Sequence, residues 1–183
     1  YPISGKWYDI GSPKSYLETV QMLLKVDEPW LPMGNRLDVP GRVWVQGESV
    51  ESMRKAKEIE EKIRLGRITV EGSVLIGRHC SIGDGAVIRD SSIDNYTVIG
   101  GGTTIENSAL MDRVYVGEGA EIRDSIVGRH TEIRSDMERR TKVIGLSVLA
   151  DDVRIGEGAS LIATRVYPHI SIPAKRTMVE EVV

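Results

Sequence analysis

The side chains of this sequence that could bind a metal ion or react are three histidines, one cysteine and an aspartate near the start. His79, His130 and His169 could bind a metal ion or act as general bases, and Cys80 could act as a nucleophile. Asp9 follows a short strand-like run and precedes a turn, where its carboxylate could be held against a hard cation such as Mg²⁺. Which reaction is open to them depends on the elements that position them.

The middle of the chain is an internal repeat with a period of 17 residues, in which aliphatic residues are spaced by 6, 6 and 5 positions. The first aliphatic column is Ile76, Ile93, Leu110, Val127, Ile144 and Leu161. The second is Ile82, Ile99, Val116 and Ile133, weakening to Ala150 and Tyr167. The third is Ile88, Ile105 and Ile122, broken at Arg139. Smaller residues keep the same rhythm at Asp90, Asn107 and Asp124, at Ser91, Ser108 and Ser125, at Gly83, Gly100 and Gly117, and at Gly85, Gly102 and Gly119.

This rhythm fits neither the period of a helix nor the simple alternation of a long strand. It indicates a triangular coil made of three steps, each a short strand followed by a sharp turn. The aliphatic residue of each step points inward, and stacked coils, roughly 4.8 Å apart, align these residues into ladders. Gly, Asp and Asn tolerate the positive φ that tight turns often need, and a small Ser fits a crowded corner.

The pattern resembles the hexapeptide repeat of the left-handed parallel β-helix family, from about residue 68 to residue 172. The runs "IGRHCSIGDGAVI" and "VGEGAEI" are typical of that repeat. The resemblance, and not the periodicity, implies the left hand. We therefore predict an all-β fold, a left-handed parallel β-helix of about six coils of 17–18 residues, with helical segments on its N-terminal flank.

One segment interrupts the columns. The run "RSDMERRTKV" (134–143) keeps the 17-residue count but places Arg139 in an aliphatic column. A bulged or reoriented turn is expected there. Because charged runs are usually solvated, a degenerate coil without a function of its own is the favoured interpretation.

The flanking segments carry local signals of their own. "KWYDI" (6–10) indicates a strand, Gly11 a turn, and Ser12 with Pro13 the start of an amphipathic helix that ends near residue 24. Residues 25–41 indicate a linker, 42–47 a short strand, and 48–65 a charged helix that ends at Gly66.

The charged helix has three pairs of residues spaced for i,i+4 ion pairing: Glu51–Lys55, Glu58–Lys62 and Glu60–Arg64. Its thin apolar stripe, Val50, Met53, Ala56, Ile59 and Ile63, predicts a helix lying on a surface or on a partner chain. The predicted organisation is residues 1–25 as the end of a preceding domain, 26–66 as a linker with a strand and a helix, 67–172 as the β-helix, and 173–183 as a polar cap or tail.

The composition excludes several classes of protein. The net charge of −3 gives no basic footprint for nucleic acid. Neither an apolar run of the ~18 residues that a membrane span needs nor the apolar core of a signal peptide occurs in the sequence. One cysteine excludes an internal disulfide framework and fits a reducing compartment, so we expect a cytoplasmic protein.

The repeat places His79 and His130, 51 positions apart, in one column, with Tyr96 and Arg113 between them. Three coils separate the two histidines by about 14 Å, too far for one zinc ion with bonds of about 2 Å. The spacing of the three histidines also differs from that of the zinc-binding histidines in the β-helix carbonic anhydrases. A metal site shared between two chains stays an open alternative. The surrounding text "GRHCSIG" and "GRHTEIR" indicates ordinary surface turns, and Cys80 a small buried residue.

The start of the chain has the motif W-x-D-I-G-[ST]-P-x-x-Y-L. Its members are Trp7, Asp9, Ile10, Gly11, Ser12, Pro13, Tyr16 and Leu17. The motif resembles the block that closes the catalytic domain of sugar-1-phosphate nucleotidyltransferases, above all the mannose-1-phosphate guanylyltransferase-like and glucose-1-phosphate nucleotidyltransferase-like members. A left-handed β-helix often follows this block in the family. "VYP" (166–168) resembles a W-P turn near their C-termini, with Tyr167 replacing Trp.

This second resemblance implies that Asp9 binds the catalytic Mg²⁺ in the complete enzyme, with an NTP and a sugar 1-phosphate as substrates. The family's second carboxylate and its glycine-rich loop, G-x-G-T-R-L-x-P, belong upstream, and no such loop occurs in the 183 residues. We therefore expect no catalytic residue in this chain, assign no substrate-binding residue, and predict that the chain alone is inactive.

The resulting hypothesis is an oligomerisation or regulatory β-helix region of an enzyme that transfers a nucleotidyl group and releases pyrophosphate. A hexapeptide-repeat acyltransferase with its active site between subunits is the main alternative, and an assembly module without an enzymatic parent is a third. The flat faces of a β-helix suit symmetric assembly, so we expect a homo-oligomer.

Overall fold

A computed structural model describes residues 7–26 and 33–183. In chain order its helices are α1 (Pro13–Lys25) and α2 (Val50–Arg64). Neither helix is long and apolar enough to cross a membrane within the described ranges. The first six residues and the predicted linker residues 27–32 lie outside the described ranges.

The strands are short and follow one another closely. They are β1 (Asn35–Arg36), β2 (Arg42–Val45), β3 (Thr69–Glu71), β4 (Ser73–Ile76), β5 (Ser81–Ile82), β6 (Val87–Arg89), β7 (Ser92–Ile93), β8 (Val98–Ile99), β9 (Thr104–Glu106), β10 (Ala109–Leu110), β11 (Tyr115–Val116), β12 (Glu121–Arg123), β13 (Ile126–Val127), β14 (Glu132–Ile133), β15 (Lys142–Ile144), β16 (Val148–Leu149), β17 (Arg154–Ile155), β18 (Ser160–Ile162), β19 (Arg165–Val166), β20 (Ser171–Ile172) and β21 (Thr177–Val179).

These strands form three sheets, which are the three faces of a solenoid. The first face has the order β1-β2-β4-β7-β10-β13-β16-β19, the second β5-β8-β11-β14-β17-β20, and the third β3-β6-β9-β12-β15-β18-β21. Every pairing is parallel except β1 with β2. The result is a parallel β-solenoid of about seven turns, which confirms the predicted β-helix architecture.

The core of the solenoid is three ladders of inward-pointing aliphatic side chains. The first face contributes Val45, Ile76, Ile93, Leu110, Val127, Leu149 and Val166. The second contributes Ile82, Ile99, Val116, Ile133, Ile155 and Ile172. The third contributes Val70, Ile88, Ile105, Ile122, Val143, Leu161 and Met178. All of them are buried, so the ladders supply most of the apolar burial that stabilises the fold.

The predicted ladders are correct as far as Ile133 and wrong beyond it. Leu149 and Val166, not Ile144 and Leu161, continue the first column. Ile155 and Ile172 replace the expected Ala150 and Tyr167 in the second, and Val143 replaces Arg139 in the third. Val127 pairs with Leu149, 22 positions later, so this coil does not keep the 17-residue count.

The extra residues lie at two corners of that coil. Ile133 and Val143 are 10 positions apart, where Val116 and Ile122 are 6 apart. This extra length forms a loop at residues 134–140, which we call the inserted loop. A second, single extra residue lies at the next corner, where Leu146 adopts a φ of 65°. The expected bulged turn is therefore confirmed.

Arg134 gives the physical reason for the inserted loop. It stands one position after the inward Ile133, where the earlier coils have Gly83, Gly100 and Gly117. A Cβ atom at Gly100, in a regular turn, would come within 2.6 Å of the Glu118 backbone nitrogen in the next coil. A side chain therefore cannot follow the regular turn at this position, and the chain leaves the solenoid for a few residues.

The serine column occupies the corner between the third and first faces, as predicted. Ser91, Ser108 and Ser125 are fully buried. The hydroxyl of Ser91 donates to the Arg89 carbonyl at 2.6 Å and accepts from the Ser108 N–H at 3.1 Å. Ser125 repeats this pattern with Ser108, so each serine fastens two coils together.

The flanks agree with most of the sequence signals. Ser12 caps α1 by accepting from the Ser15 N–H, and α2 ends before Gly66, which has a φ of 66°. The predicted strand at 6–10 is wrong for its described part, 7–10, which pairs with no strand of the described residues. The two-residue strand β1 was not predicted and lies inside the predicted linker.

Helix α2 stands in the chain where the first turn would have its second-face strand, between β2 and β3. Ala56 and Ile59 are buried against the solenoid core, while Val50 and Met53 are exposed. Two of the three predicted ion pairs form, Glu58–Lys62 at 3.9 Å and Glu60–Arg64 at 2.8 Å. Lys55 instead pairs with Glu58, at 2.9 Å.

Candidate functional site

The segment that carries Asp9 lies on the surface, immediately before α1. The Asp9 side chain is exposed, and its Oδ1 atom accepts a hydrogen bond from the Gly11 N–H at 2.9 Å. Trp7 and Ile10 are 78% and 57% exposed. The segment therefore presents one carboxylate between two uncovered apolar side chains.

The residues in the described ranges do not build a Mg²⁺ site on their own. Among residues 7–26 and 33–183, no group of three or more His, Cys, Asp and Glu side chains could hold a metal ion. Mg²⁺ is usually bound by one or two carboxylates together with substrate phosphates and water. Asp9 can thus be at most one ligand, and a single carboxylate is not a site.

Helix α1 fixes this segment against the solenoid. Leu17 and Leu24 are buried on the first face, and α1 contacts β4. The Gln21 side-chain amide donates to the backbone carbonyl of Asp90 at a solenoid corner. These contacts hold both halves of α1 against the solenoid.

All three histidines lie in one column at the corner between the first and second faces. The column is His79, Tyr96, Arg113, His130, Asp152 and His169, and each has a φ between 57° and 65°. His79 and Tyr96 stack with ring centroids 4.9 Å apart, and the Arg113 guanidinium lies 5.2 Å from the Tyr96 centroid. The predicted column from His79 to His130 is confirmed. His169 was missed because the five extra residues of one coil shift the count.

Two of the three histidines have an acidic neighbour, and the cavity beside their corner has no histidine in its lining. The Nδ1 atom of His79 lies 3.7 Å from Glu51 of α2, and that of His169 lies 3.6 Å from Asp152. A general base also needs a bound substrate within hydrogen-bonding reach. The cavity beside this corner is lined by Gly34, Gln46, Gly47, Glu48, Arg78 and Asn95, and no histidine is among them.

Cys80 behaves as a structural residue. It is buried, and its thiol lies 3.1 Å from the Asp94 carbonyl oxygen. Burial raises the pKa of the Cys80 thiol to about 11. Since the thiolate is the reactive form, this cysteine is a poor nucleophile, in agreement with the sequence analysis.

A pair of carboxyl groups at the same corner was not found from the sequence. The side-chain amide of Asn95 donates to Asp94 at 2.8 Å and to Asp112 at 3.1 Å. Burial and the negative charge of Asp112 raise the pKa of Asp94. Burial alone would raise the pKa of Asp112 too, but the hydrogen bonds from Asn95 lower it. Only the coiling of the chain, which stacks these positions, reveals the pair.

The inserted loop is tightly ordered by Asp136. Its carboxylate accepts from the backbone N–H groups of Glu138 and Arg139, and its Oδ2 binds the Arg139 guanidinium at 2.6 Å. The Arg139 backbone N–H, with the guanidinium, lowers the pKa of Asp136. Met137 lies over Gly102 and Gly119, so the loop folds back along the glycine-rich corner.

Comparison with known proteins gives one family and two similar structures. The model of the GMPPB C-terminal domain matches residues 70–183. The acetyltransferase domain of PglB from Neisseria gonorrhoeae FA1090 is 19% identical over 69% of this chain and 62% of that chain, with a TM-score of 0.37. The same domain in complex with acetyl coenzyme A is 18% identical over 87% of this chain and 73% of that chain, with a TM-score of 0.37. No curated protein is significantly similar.

The chain spans less than two thirds of the first of these structures, and the TM-scores are too low to bear on its function. The family match is different in kind, because it begins at Val70 in β3 and runs through all later coils. It covers well over half of the sequence. The chain therefore belongs to the family of the GMPPB C-terminal domain, named for mannose-1-phosphate guanylyltransferase beta.

Proposed function

We propose that this chain is the C-terminal β-helix region of an enzyme that transfers a nucleotidyl group from an NTP to a sugar 1-phosphate and releases pyrophosphate. The observation that carries the proposal is the family match over residues 70–183. The segment "WYDIGSP" (7–13), which leads into α1 ahead of the matched region, supports it independently. The nucleotide and the sugar are chosen by residues outside this chain.

The exposed surface of that segment fits contact with another domain. Trp7 and Ile10 flank Asp9 and are largely uncovered, and adjacent exposed apolar side chains mark interaction sites. We place the catalytic domain of the complete enzyme against this segment. Because α1 is anchored to the first face, such a contact would also fix the catalytic domain relative to the solenoid.

In the complete enzyme Asp9 would supply one carboxylate to a Mg²⁺ ion, which neutralises phosphate charge when it is bound. This chain's own part in the reaction is positional. Gly11 holds the Asp9 carboxylate through its N–H, and the cap of α1 begins at the next residue. The family's second carboxylate and its nucleotide loop are expected from the upstream domain.

The second part of the proposed role is assembly. A solenoid has long flat faces, and a homo-oligomer of the cytoplasmic enzyme would use them. Light scattering on the purified chain at micromolar concentration tests this part directly. An oligomeric mass is expected, and a monomeric mass would contradict the assembly role.

Pyrophosphate release tests the enzymatic part. The purified chain is incubated with an NTP, mannose 1-phosphate or glucose 1-phosphate, and MgCl₂, and pyrophosphate is measured. No release above the enzyme-free blank is expected, and release by the chain would contradict the proposal. The reading frame upstream of the Tyr1 codon should encode a glycine-rich nucleotide loop. An unrelated upstream frame would contradict the assignment of the parent enzyme.

The acyltransferase alternative has its own discriminating test. The chain is assayed with acetyl coenzyme A and a panel of amine and hydroxyl acceptors, beside the variants His79→Ala and His130→Ala. We expect no transfer. Transfer by the unaltered chain that either variant abolishes would replace the nucleotidyltransferase proposal.

A further inference from the structure

The inserted loop has a single apolar side chain, Met137, and all its other residues are charged or serine. Met137 lies at the corner between the second and third faces, over the glycines of two earlier coils. A Cβ atom at Gly119 would lie 3.0 Å from the Met137 sulfur, and one at Gly102 would lie 3.3 Å from it. The sulfur thus occupies the space that side chains at these two positions would need.

Backbone conformation alone does not require glycine at this corner. Gly102 and Gly119 have φ values of 65° and 68°, but Lys175 takes the same place in the last coil with a φ of 60°. Gly85 also takes this place, in the first full coil, and the nearest atom to its missing Cβ is 3.5 Å away, in the backbone of Gly102. Contact with Met137 therefore distinguishes Gly102 and Gly119 from Gly85.

The hydrogen bonds of Asp136 order the loop internally. Its carboxylate accepts from the backbone N–H groups of Glu138 and Arg139, which are themselves loop residues. Arg139 and Arg140 also approach the corner, beside Gly158 and Gly119, but both are exposed. Apolar contact between the loop and the neighbouring coils therefore depends on Met137.

Met137 is open to reagents in solution, because 51% of its surface is exposed. A thioether reacts with a peroxide, and the product is methionine sulfoxide. A lone pair of the sulfur forms the S–O bond, the O–O bond of hydrogen peroxide breaks, and water leaves. The sulfur is oxidised by two electrons and the peroxide is reduced. Met178, which is 2% exposed in the solenoid core, is shielded from this reaction.

Oxidation would change the contact in two ways. The added oxygen enlarges a group that already lies in close contact with two glycines, and it makes an apolar side chain polar. Both changes favour a sulfoxide that leaves the corner for water. Because Ser135 and Asp136 line the cavity of about 330 Å³ beside Tyr115, a loop that leaves the corner also removes one wall of that cavity.

We propose that Met137 is an oxidation-sensitive clasp: its thioether holds the inserted loop on Gly102 and Gly119, and conversion to the sulfoxide by a peroxide releases the loop. The proposal assigns a modification site that is independent of the parent enzyme. Its readout is the state of the loop, so the pyrophosphate test can fail or succeed without bearing on it.

The first test measures loop release by limited proteolysis. The chain is treated with hydrogen peroxide, the peroxide is removed with catalase, and tryptic cleavage after Arg139 and Arg140 is followed by mass spectrometry, which also locates the added oxygen. Met137→Leu keeps an apolar side chain of similar size that peroxide does not oxidise. Met53→Leu is the matched control, because Met53 is 45% exposed on α2, in the first turn.

We expect peroxide to speed cleavage at the loop about fivefold or more in the unaltered chain and in Met53→Leu, since cleavage follows the population of the open loop. Met137→Leu should cut at the untreated rate with or without peroxide. Oxidised Met137 with unchanged cleavage, an acceleration that persists in Met137→Leu, or a Met137 that stays unoxidised while Met53 reacts would each overturn the proposal.

The second test alters the glycines and uses no oxidant. Gly102→Ala and Gly119→Ala place a methyl group against the Met137 sulfur, whereas Gly85→Ala carries a similar positive φ without that contact. The first two should speed cleavage after Arg139 and Arg140 about threefold or more, and Gly85→Ala less than about 1.5-fold. Circular dichroism checks that each variant keeps its fold. Equal rates in all three variants would show that Met137 does not hold the loop at this corner.

Discussion

A glycine with an ordinary φ should matter more to this fold than a glycine with a positive φ. Gly100 and Gly85 lie at the same corner of neighbouring coils. Gly85 has a φ of 76°, whereas Gly100 lies outside the left-handed region. Conformation alone would rank Gly85→Ala as the more harmful change, but the contacts across coils reverse the order.

The magnitude for Gly100→Ala follows from the next coil. A Cβ atom at Gly100 would lie 2.6 Å from the Glu118 backbone nitrogen, where ordinary contacts begin at 3.4 Å. The coils must separate locally by about 0.8 Å, which would stretch the hydrogen bond from the Gly100 N–H to the Val116 carbonyl, now 2.8 Å, beyond its useful range. One lost ladder bond and the strain of overpacking together cost about 3 kcal/mol.

The cost of Gly85→Ala is smaller. A Cβ atom there would lie 3.5 Å from its nearest neighbour, the Gly102 nitrogen, which is an ordinary contact. What remains is the cost of placing alanine in the left-handed region, about 1 kcal/mol. Gly66, with a φ of 66° and nothing near its missing Cβ, offers a second control with the same expected cost.

Urea unfolding followed by circular dichroism measures the three variants against the unaltered chain. The expected losses in the free energy of unfolding are about 3 kcal/mol for Gly100→Ala and about 1 kcal/mol for Gly85→Ala and Gly66→Ala. Equal losses, or a larger loss for Gly85→Ala, would refute the view that close approach between coils, and not turn conformation, requires glycine at this position.

Three other expectations concern ionisable and reactive groups. At pH 8, alkylation of Cys80 should be about a hundredfold slower in the folded chain than in guanidinium. The alkylation rate of the folded chain should rise with pH towards the thiol pKa of about 11. Equal rates in the folded chain and in guanidinium would contradict the burial of Cys80. Asp94→Asn should raise the unfolding midpoint at pH 7, because the raised pKa of Asp94 means that its ionised form opposes folding. This gain in the unfolding midpoint should vanish as the pH falls below the pKa of Asp94, where the carboxyl of the unaltered chain is itself protonated. Asp136→Ala should speed tryptic cleavage after Arg139 and Arg140 severalfold, with Asp151→Ala as a control away from the loop; unchanged cleavage would show that Asp136 does not order the loop.

Much of the fold could be predicted because its information is local. Each coil as far as Ile133 repeats the same spacing, so counting is enough to align Ile88, Ile105 and Ile122. The same counting brings His79 and His130 into one column with Tyr96 between them. Ser12 and Gly66 likewise mark helix ends through hydrogen bonds and φ values within a few residues of themselves.

The candidate site was predictable only in part. The motif around Asp9 is continuous in sequence, so its residues could be recognised without a structure. Its exposure, and the lack of a metal-binding cluster in the described part of the chain, depend on which side chains the fold gathers. The carboxyl pair of Asp94 and Asp112 is 18 positions apart, which gives no signal until the coils are stacked.

Local patterns alone predict the repeat, the solenoid, both helices and the family motif, because each depends on spacings or cap residues that are close along the chain. The register after Ile133 depends on contacts between coils, because Arg134 stands where the regular turns need a glycine to clear the backbone of the next coil. The tertiary structure also decides that α1 packs on the first face and that Met137 lies over Gly102 and Gly119. Those outcomes depend on packing between coils and faces, and no period in the sequence encodes them.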